Sequence, residues 1–163
     1  LNAAFHSAKR GEPADPPIIE AIIPSVLDPE LTDAPGHHVM SLLCKYMPYD
    51  LSRGRSWDNE KDRIVEGIFS YVERFIPRLR DITIGYQCLT PLDLERMLGM
   101  TRGDICHGRL EPDQLFNMRP HPDAAQYATP VTGLYLCGSG AHPGGGVTGA
   151  PGHNAARRIL KDA

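Results

Sequence analysis

No apolar run in this chain approaches the length that spans a bilayer, no two cysteines sit at C-x-x-C spacing, and positive charge is not in excess. Each shortage removes a class of function. A transmembrane helix needs about 20 consecutive apolar residues, so no integral membrane segment is expected. Cys44, Cys88, Cys106 and Cys137 are widely spaced and form no tight cluster with histidine, so no metal site is expected. A formal net charge of −3 and a pI near 6.2 give no electrostatic basis for a nucleic-acid or anionic-membrane partner. No secretory signal pattern, internal repeat or low-complexity tract is visible.

What the chain does hold is enough apolar residue for a core, 41% of 163, and a heavy load of 16 glycines and 15 prolines, so much of it should be loop. Cys44, Cys88 and Cys137 fall in apolar, strand-like runs. They read as reduced core thiols, hence a soluble protein of the cytoplasm. The chain opens at Leu1 rather than at methionine, as a fragment or the later part of a longer chain would.

Residues 18–23 (IIEAII) predict a short strand ended by Pro24. Residues 37–47 alternate in a half-buried pattern and predict a second strand. Residues 58–78 predict the clearest helix: Ile64, Ile68, Tyr71 and Phe75 recur at helical spacing, with Val65 and Val72 widening the stripe. Residues 82–89 predict another strand. Thr90-Pro91-Leu92-Asp93 then starts a helix, with Thr90 at the N-cap and proline in the first turn, and Gly99 stops it. Residues 100–130 read as irregular. Leu134 to Cys137 predicts a buried strand and residues 154–160 a closing helix. Strands joined by long crossovers predict an α/β fold with α+β character, a mixed sheet with helices against it.

Between that last strand and helix, glycine recurs at 138, 140, 144, 145, 146, 149 and 152. Glycine lets backbone approach a ligand closely, and a helix start offers unpaired N–H groups. A flat cofactor with an electron-rich carbonyl edge suits this loop, and so does a phosphate. The Walker pattern is absent. Gly138-Ser-Gly140 resembles the opening of the dinucleotide fingerprint, but position 143 is proline and no acid follows at the required distance.

The whole run LYLCGSGAHPGGGVTGAPGHNAA (134–156) resembles the C-terminal flavin-binding motif of phytoene-desaturase-type FAD-dependent oxidoreductases. Other phrases resemble the same family: IPS at 23–25 with Asp28-Pro29, GHHVMS at 36–41, PLDLE at 91–95, GDICHG at 103–108, DQLF at 113–116 and MRP at 118–120. The resemblance runs from about residue 18 to the end. Family chains are much longer and begin with a βαβ unit that grips the FAD pyrophosphate, which this chain lacks.

The resemblance therefore implies an incomplete FAD site. Residues 1–130 would be part of a substrate-binding domain. Residues 131–163 would be the closing strand, loop and helix of a Rossmann-like FAD domain. It implies that Gly138 and Ser139 lie beside the ribityl–pyrophosphate of FAD, although many relatives carry an acid where Ser139 stands. Gly145, Gly146, Val147 and Thr148 would run along the isoalloxazine, with N–H groups near Thr148 and Gly149 aimed at its N1/C2 edge. The activity implied is hydride removal from a small organic substrate to FAD, with a missing N-terminal FAD-binding segment as the partner.

His142, before Pro143 in the loop, is the candidate catalytic residue: it faces flavin or substrate, or it fixes the loop by bonding backbone. Arg119 is a structural ion-pair partner or a substrate clamp. His107 belongs to a hydrogen-bonded turn or faces the substrate cavity, and Tyr46 and Tyr49 are candidates to line that cavity. Two further readings stand beside the enzyme. One is a non-catalytic module that pairs with a separate FAD half or with another copy of itself. The other is a phosphate- or nucleotide-binding module.

Overall fold

The longest helix forms where the sequence is most strongly amphipathic and best capped. In the computed structural model, which describes residues 1–163, helix α2 (Trp57–Val72) follows Ser56, whose side chain accepts the Asp58 N–H at 3.2 Å, and carries Asp58 and Glu60 in its first turn. Both features suit a helix start. Its buried residues are Trp57, Val65 and Val72. The expected stripe is shifted: Ile64, Ile68 and Tyr71 are half-buried, and Phe75, past the helix end, is 69% exposed.

The chain divides into two compact units, Leu1–Pro91 and Leu92–Ala163. In the first, helix α1 (Asn2–Lys9) buries Ala4. Strand β1 (Ile18–Ile22) pairs antiparallel with β2 (Ser41–Lys45), from Ile18↔Lys45 to Ile22↔Ser41. The long connection between them is closed by buried Ser25. Its hydroxyl accepts the Val39 N–H at 3.0 Å and bonds His38 Nδ1 at 3.1 Å. Trp57 donates its indole N–H to the carbonyls of Pro48 and Tyr49, which anchors the segment before α2.

After α2, Arg80 in the short helix α3 (Leu79–Ile82) turns the chain back. Its guanidinium bonds the Glu73 carboxylate, the Glu66 carbonyl at 2.8 Å and Ser70 Oγ at 2.9 Å, and lies over the Phe69 ring. Three strand expectations are corrected by the structure. The second strand is shorter than 37–47. Residues 83–89 form no strand, and Ile84 is 83% exposed. Their sequence favours extended backbone, but a strand exists only where another segment takes up its N–H and C=O groups. The sheet is therefore two antiparallel strands, not a mixed sheet with crossovers, and the class is α+β.

The second unit opens with helix α4 (Pro91–Leu98), as its capping residues predicted. Gly99 at φ +67° closes it, donating its N–H to the Glu95 carbonyl at 2.9 Å. Short 3₁₀ turns follow through residue 124. The third correction is at 134–137. That run makes one antiparallel bridge, Ala128↔Tyr135, and both Leu134 and Cys137 are exposed, so Cys137 is no core thiol. Helix α5 (Ala150–Asp162) begins four residues before the predicted start. Its Ala155 packs with Tyr127, Ala141 and Leu136 into a small core. No helix is long and apolar enough to cross a membrane.

Candidate functional site

The glycine loop is held from beneath by one side chain. Arg119 is fully buried at 0% exposure. Its Nε donates to the Gly140 carbonyl at 3.2 Å, and its Nη2 donates to the His107 carbonyl at 2.9 Å and to the Cys106 carbonyl. The acceptors are aimed by Asp104, whose carboxylate takes the N–H groups of Cys106 at 2.8 Å and Gly108 at 3.1 Å. That turn puts His107 at φ +55°, so His107 is the turn residue the sequence predicted. Arg119 makes no ion pair: main-chain dipoles, not a carboxylate, receive its charge. Its Nη1 is buried and has no partner. Hydrogen bonds to a charged group contribute about 1.5–3 kcal/mol each, which offsets part of the cost of burying a guanidinium.

Gly144 shows why the loop needs glycine. It sits at φ +71°, and a Cβ there would run into the Arg119 guanidinium. Gly145 is less tight, with 3.1 Å from the position of a Cβ to Leu110 Cδ1. One face of residues 144–145 thus packs on protein, while Gly146, Val147, Thr148 and Gly149 are exposed, with Val147 wholly so. Gly138 is exposed and Ser139 half-buried, in a turn closed by the Ala141 N–H to the Gly138 carbonyl at 2.9 Å.

His142 does not fix the loop through its ring. Its Nδ1 is buried without a partner, and the ring tilts over Phe116 with centroids 6.4 Å apart. The loop is fixed instead through the His142 carbonyl, which accepts Tyr127 O–H at 3.0 Å. Tyr127 in turn accepts Asn154 Nδ2–H at 2.8 Å. At the start of α5 the Ala150 N–H donates to Thr148 Oγ1 at 3.2 Å, and Pro151 has no N–H. One donor of that first turn, the Ala150 N–H, is therefore taken within the loop.

The far end of α5 is tied back to the segment before the loop. Tyr135 donates to the Asp162 carboxylate at 3.0 Å, and Arg158 Nε donates to it at 2.7 Å. The Arg158 guanidinium holds the Asp162 carboxyl below the usual carboxylate range, and the bond to Asp162 pushes the Tyr135 phenol up. In the first unit a cleft of about 290 Å³ is lined by Glu12, Met47, Arg55, Arg63, Ile64 and Ile68 among others. Tyr46 and Tyr49 are not in its walls.

The structure thus brings Arg119, His107, His142, Phe116 and the loop glycines together. Sequence reasoning missed Asp104, Tyr127 and Asn154. Asp104 stood in the GDICHG phrase as a usable signal, since a carboxylate two residues before a main-chain N–H is a common turn former. Nothing local marked Tyr127 or Asn154.

Several known proteins are similar to this chain. It is 47% identical over 163 residues, 99% of its length, to the pyridine nucleotide-disulfide oxidoreductase domain-containing protein 2 of Rattus norvegicus. It spans 28% of that relative's length. A limonene dehydrogenase component of Castellaniella defragrans is 35% identical over 102 residues, 62% of this chain and 18% of the relative. Phytoene desaturase (lycopene-forming) of Pantoea ananas is 31% identical over 97 residues, 59% of this chain and 19% of the relative. No family model and no solved structure matches. The resemblance carried by the glycine loop is borne out: the chain corresponds to a segment of longer proteins named as oxidoreductases.

Proposed function

We propose that the chain is the C-terminal segment of an FAD-dependent oxidoreductase of the phytoene-desaturase type, with residues 131–163 closing its FAD domain and residues 1–130 contributing to its substrate domain. The observation that carries this reading is the glycine loop itself. One side is clamped onto buried Arg119, and the other exposes the segment from Gly146 to Gly149. The fit to FAD rests on two features. Gly144 sits at φ +71° where a Cβ would collide with Arg119, so the main chain of the loop lies directly on the guanidinium. An orphaned buried guanidinium nitrogen lies beneath a loop proposed to face a group that gains negative charge.

When bound, FAD would supply the hydride acceptor for an apolar or amine-like small molecule. The chain's own residues do the rest. Gly145, Gly146, Val147 and Thr148 form the wall along the ring system, and Gly138 and Ser139 lie beside the ribityl chain. Arg119 and Tyr127 keep this main chain rigid, so its N–H groups are oriented before reaction. His142 is the candidate side chain facing the reacting atoms.

The grip on the pyrophosphate belongs to a separate N-terminal segment. Half a site forfeits most of the binding free energy, so the 163-residue chain alone should hold FAD weakly or not at all. Expression of the full-length protein should give a yellow protein with flavin absorbance, while this chain alone stays colourless with added FAD. A colourless full-length protein that takes up no FAD would sink the reading.

A further inference from the structure

Arg119 is the one large side chain that is completely buried, and it has no ion pair. Three carbonyls occupy Nε and Nη2, and no carboxylate pairs with it. The forked guanidinium reaches all three carbonyls, which the shorter single amide of glutamine would not, and it also brings the cost of desolvating a cation. What a neutral donor lacks is the charge. A charge in a low-dielectric interior acts over longer distances than one in water. Here nothing but Gly144, which has no side chain, separates the guanidinium from the main chain of the loop.

We propose that Arg119 is a positioning residue with a second, electrostatic role: it fastens the glycine loop to the 104–108 turn, and its unneutralised guanidinium favours the anionic reduced form of the FAD that the loop faces. This rests on the FAD reading above. The unpartnered Nη1 and the missing Cβ at Gly144 are the two independent observations behind it. Carbonyl dipoles orient the guanidinium but leave its net charge intact, so the charge is available to whatever lies across the loop.

The test uses the full-length protein with FAD bound, and the variants R119M and R119K. Reduction potential is measured against a reference dye, beside thermal unfolding. R119M should lower the ratio of reduced to oxidised flavin at a fixed potential about tenfold, or about 30 mV for a two-electron couple. R119K keeps the charge and loses the forked bonds. It should unfold earlier while its potential stays nearer the wild type. An R119M potential equal to the wild type would overturn the electrostatic role.

Should neither variant retain flavin, the wild-type protein decides. Reduced at a mildly acidic pH where free reduced FAD is neutral, it should show the absorbance of the anion, and a neutral spectrum would overturn the proposal. A wild-type protein without FAD defeats the functional reading itself. A flavin-bearing wild type with unshifted properties defeats only this inference.

Discussion

Both units pair surface arginines with carboxylates, Arg109 with Asp113 and Arg158 with Asp162 in the second, but they differ in the most buried one. In the first, arginines pair with carboxylates at the surface or half-buried: Arg55 with Glu12, Arg63 with Glu60, Arg80 with Glu73. In the second, the most buried arginine pairs with main-chain carbonyls only. Exposed ion pairs contribute about 0–1 kcal/mol and are readily replaced. A buried cation without a counter-charge is costly, and removing it would take the donor from three carbonyls at once. The first unit is thus built on ordinary helix packing and surface pairs. The second devotes its one deep charged group to shaping a loop.

The largest effect that would test this difference lies in the first unit. Trp57 is 5% exposed and its N–H is shared by two carbonyls. Trp57→Ala should cost about 3–5 kcal/mol. Amide hydrogen exchange should accelerate across α2, while residues 138–149 keep their protection. If protection of the glycine loop collapses equally, the units do not stand on separate supports.

Next come two glycines of opposite sense. Gly144→Ala puts a Cβ into the Arg119 guanidinium and holds alanine at a positive φ. A cost of about 1–3 kcal/mol is expected, read as faster exchange in the loop and loss of bound flavin. Gly67 lies in the middle of α2, with open space where a Cβ would go. Gly67→Ala should stabilise by about 0.5–1 kcal/mol. Thermal unfolding of both variants checks the signs. Equal and small effects would mean that the loop is not conformationally constrained.

The thiols separate the regions as well. Burial, with Cys88 nearby, pushes the Cys44 thiol up to about 11, whereas Cys137 is exposed. The thiolate is the reactive form, so alkylation at mildly alkaline pH followed by peptide mapping should label Cys137 well before Cys44. Labelling in the reverse order would contradict the exposure of residues 134–137.

The same division explains what was readable from sequence. Helices α2, α4 and α5 were legible because period, caps and terminal glycine are local properties, and Ser56, Pro91 and Gly99 do what their types predict. Strands were not, because a strand is defined by its partner: Ile84 and Tyr86 are good strand formers left exposed. The loop glycines were legible as a tight loop, and Gly144 shows the close packing on Arg119 that requires one. The loop's supports were not, because Arg119, Asp104 and Tyr127 reach it across gaps in sequence that no spacing rule describes. Arg119 was read as an ion-pair partner or a substrate clamp, and it makes no ion pair. The Asp104 turn supplies carbonyls instead.

The smallest expected effect is the pH response, and it falls on both units alike. Hydrogen bonds from Ser52 and Arg55 lower the Glu12 carboxyl, and Arg158 with Tyr135 lowers Asp162. A carboxyl depressed in the folded state binds its proton less readily there than in the unfolded chain. Its stabilising contribution is therefore fully present above the unfolded pKa and is lost as pH falls through the folded one. Both groups sit at the protein surface, where solvent screens the effect, so each should change only the acid limb of a stability–pH curve. E12Q should flatten that limb when exchange is read in residues 11–55, and D162N when it is read in α5. If D162N instead alters the acid limb in the first unit and leaves α5 unchanged, the Tyr135–Asp162–Arg158 tie is not what secures the end of that helix.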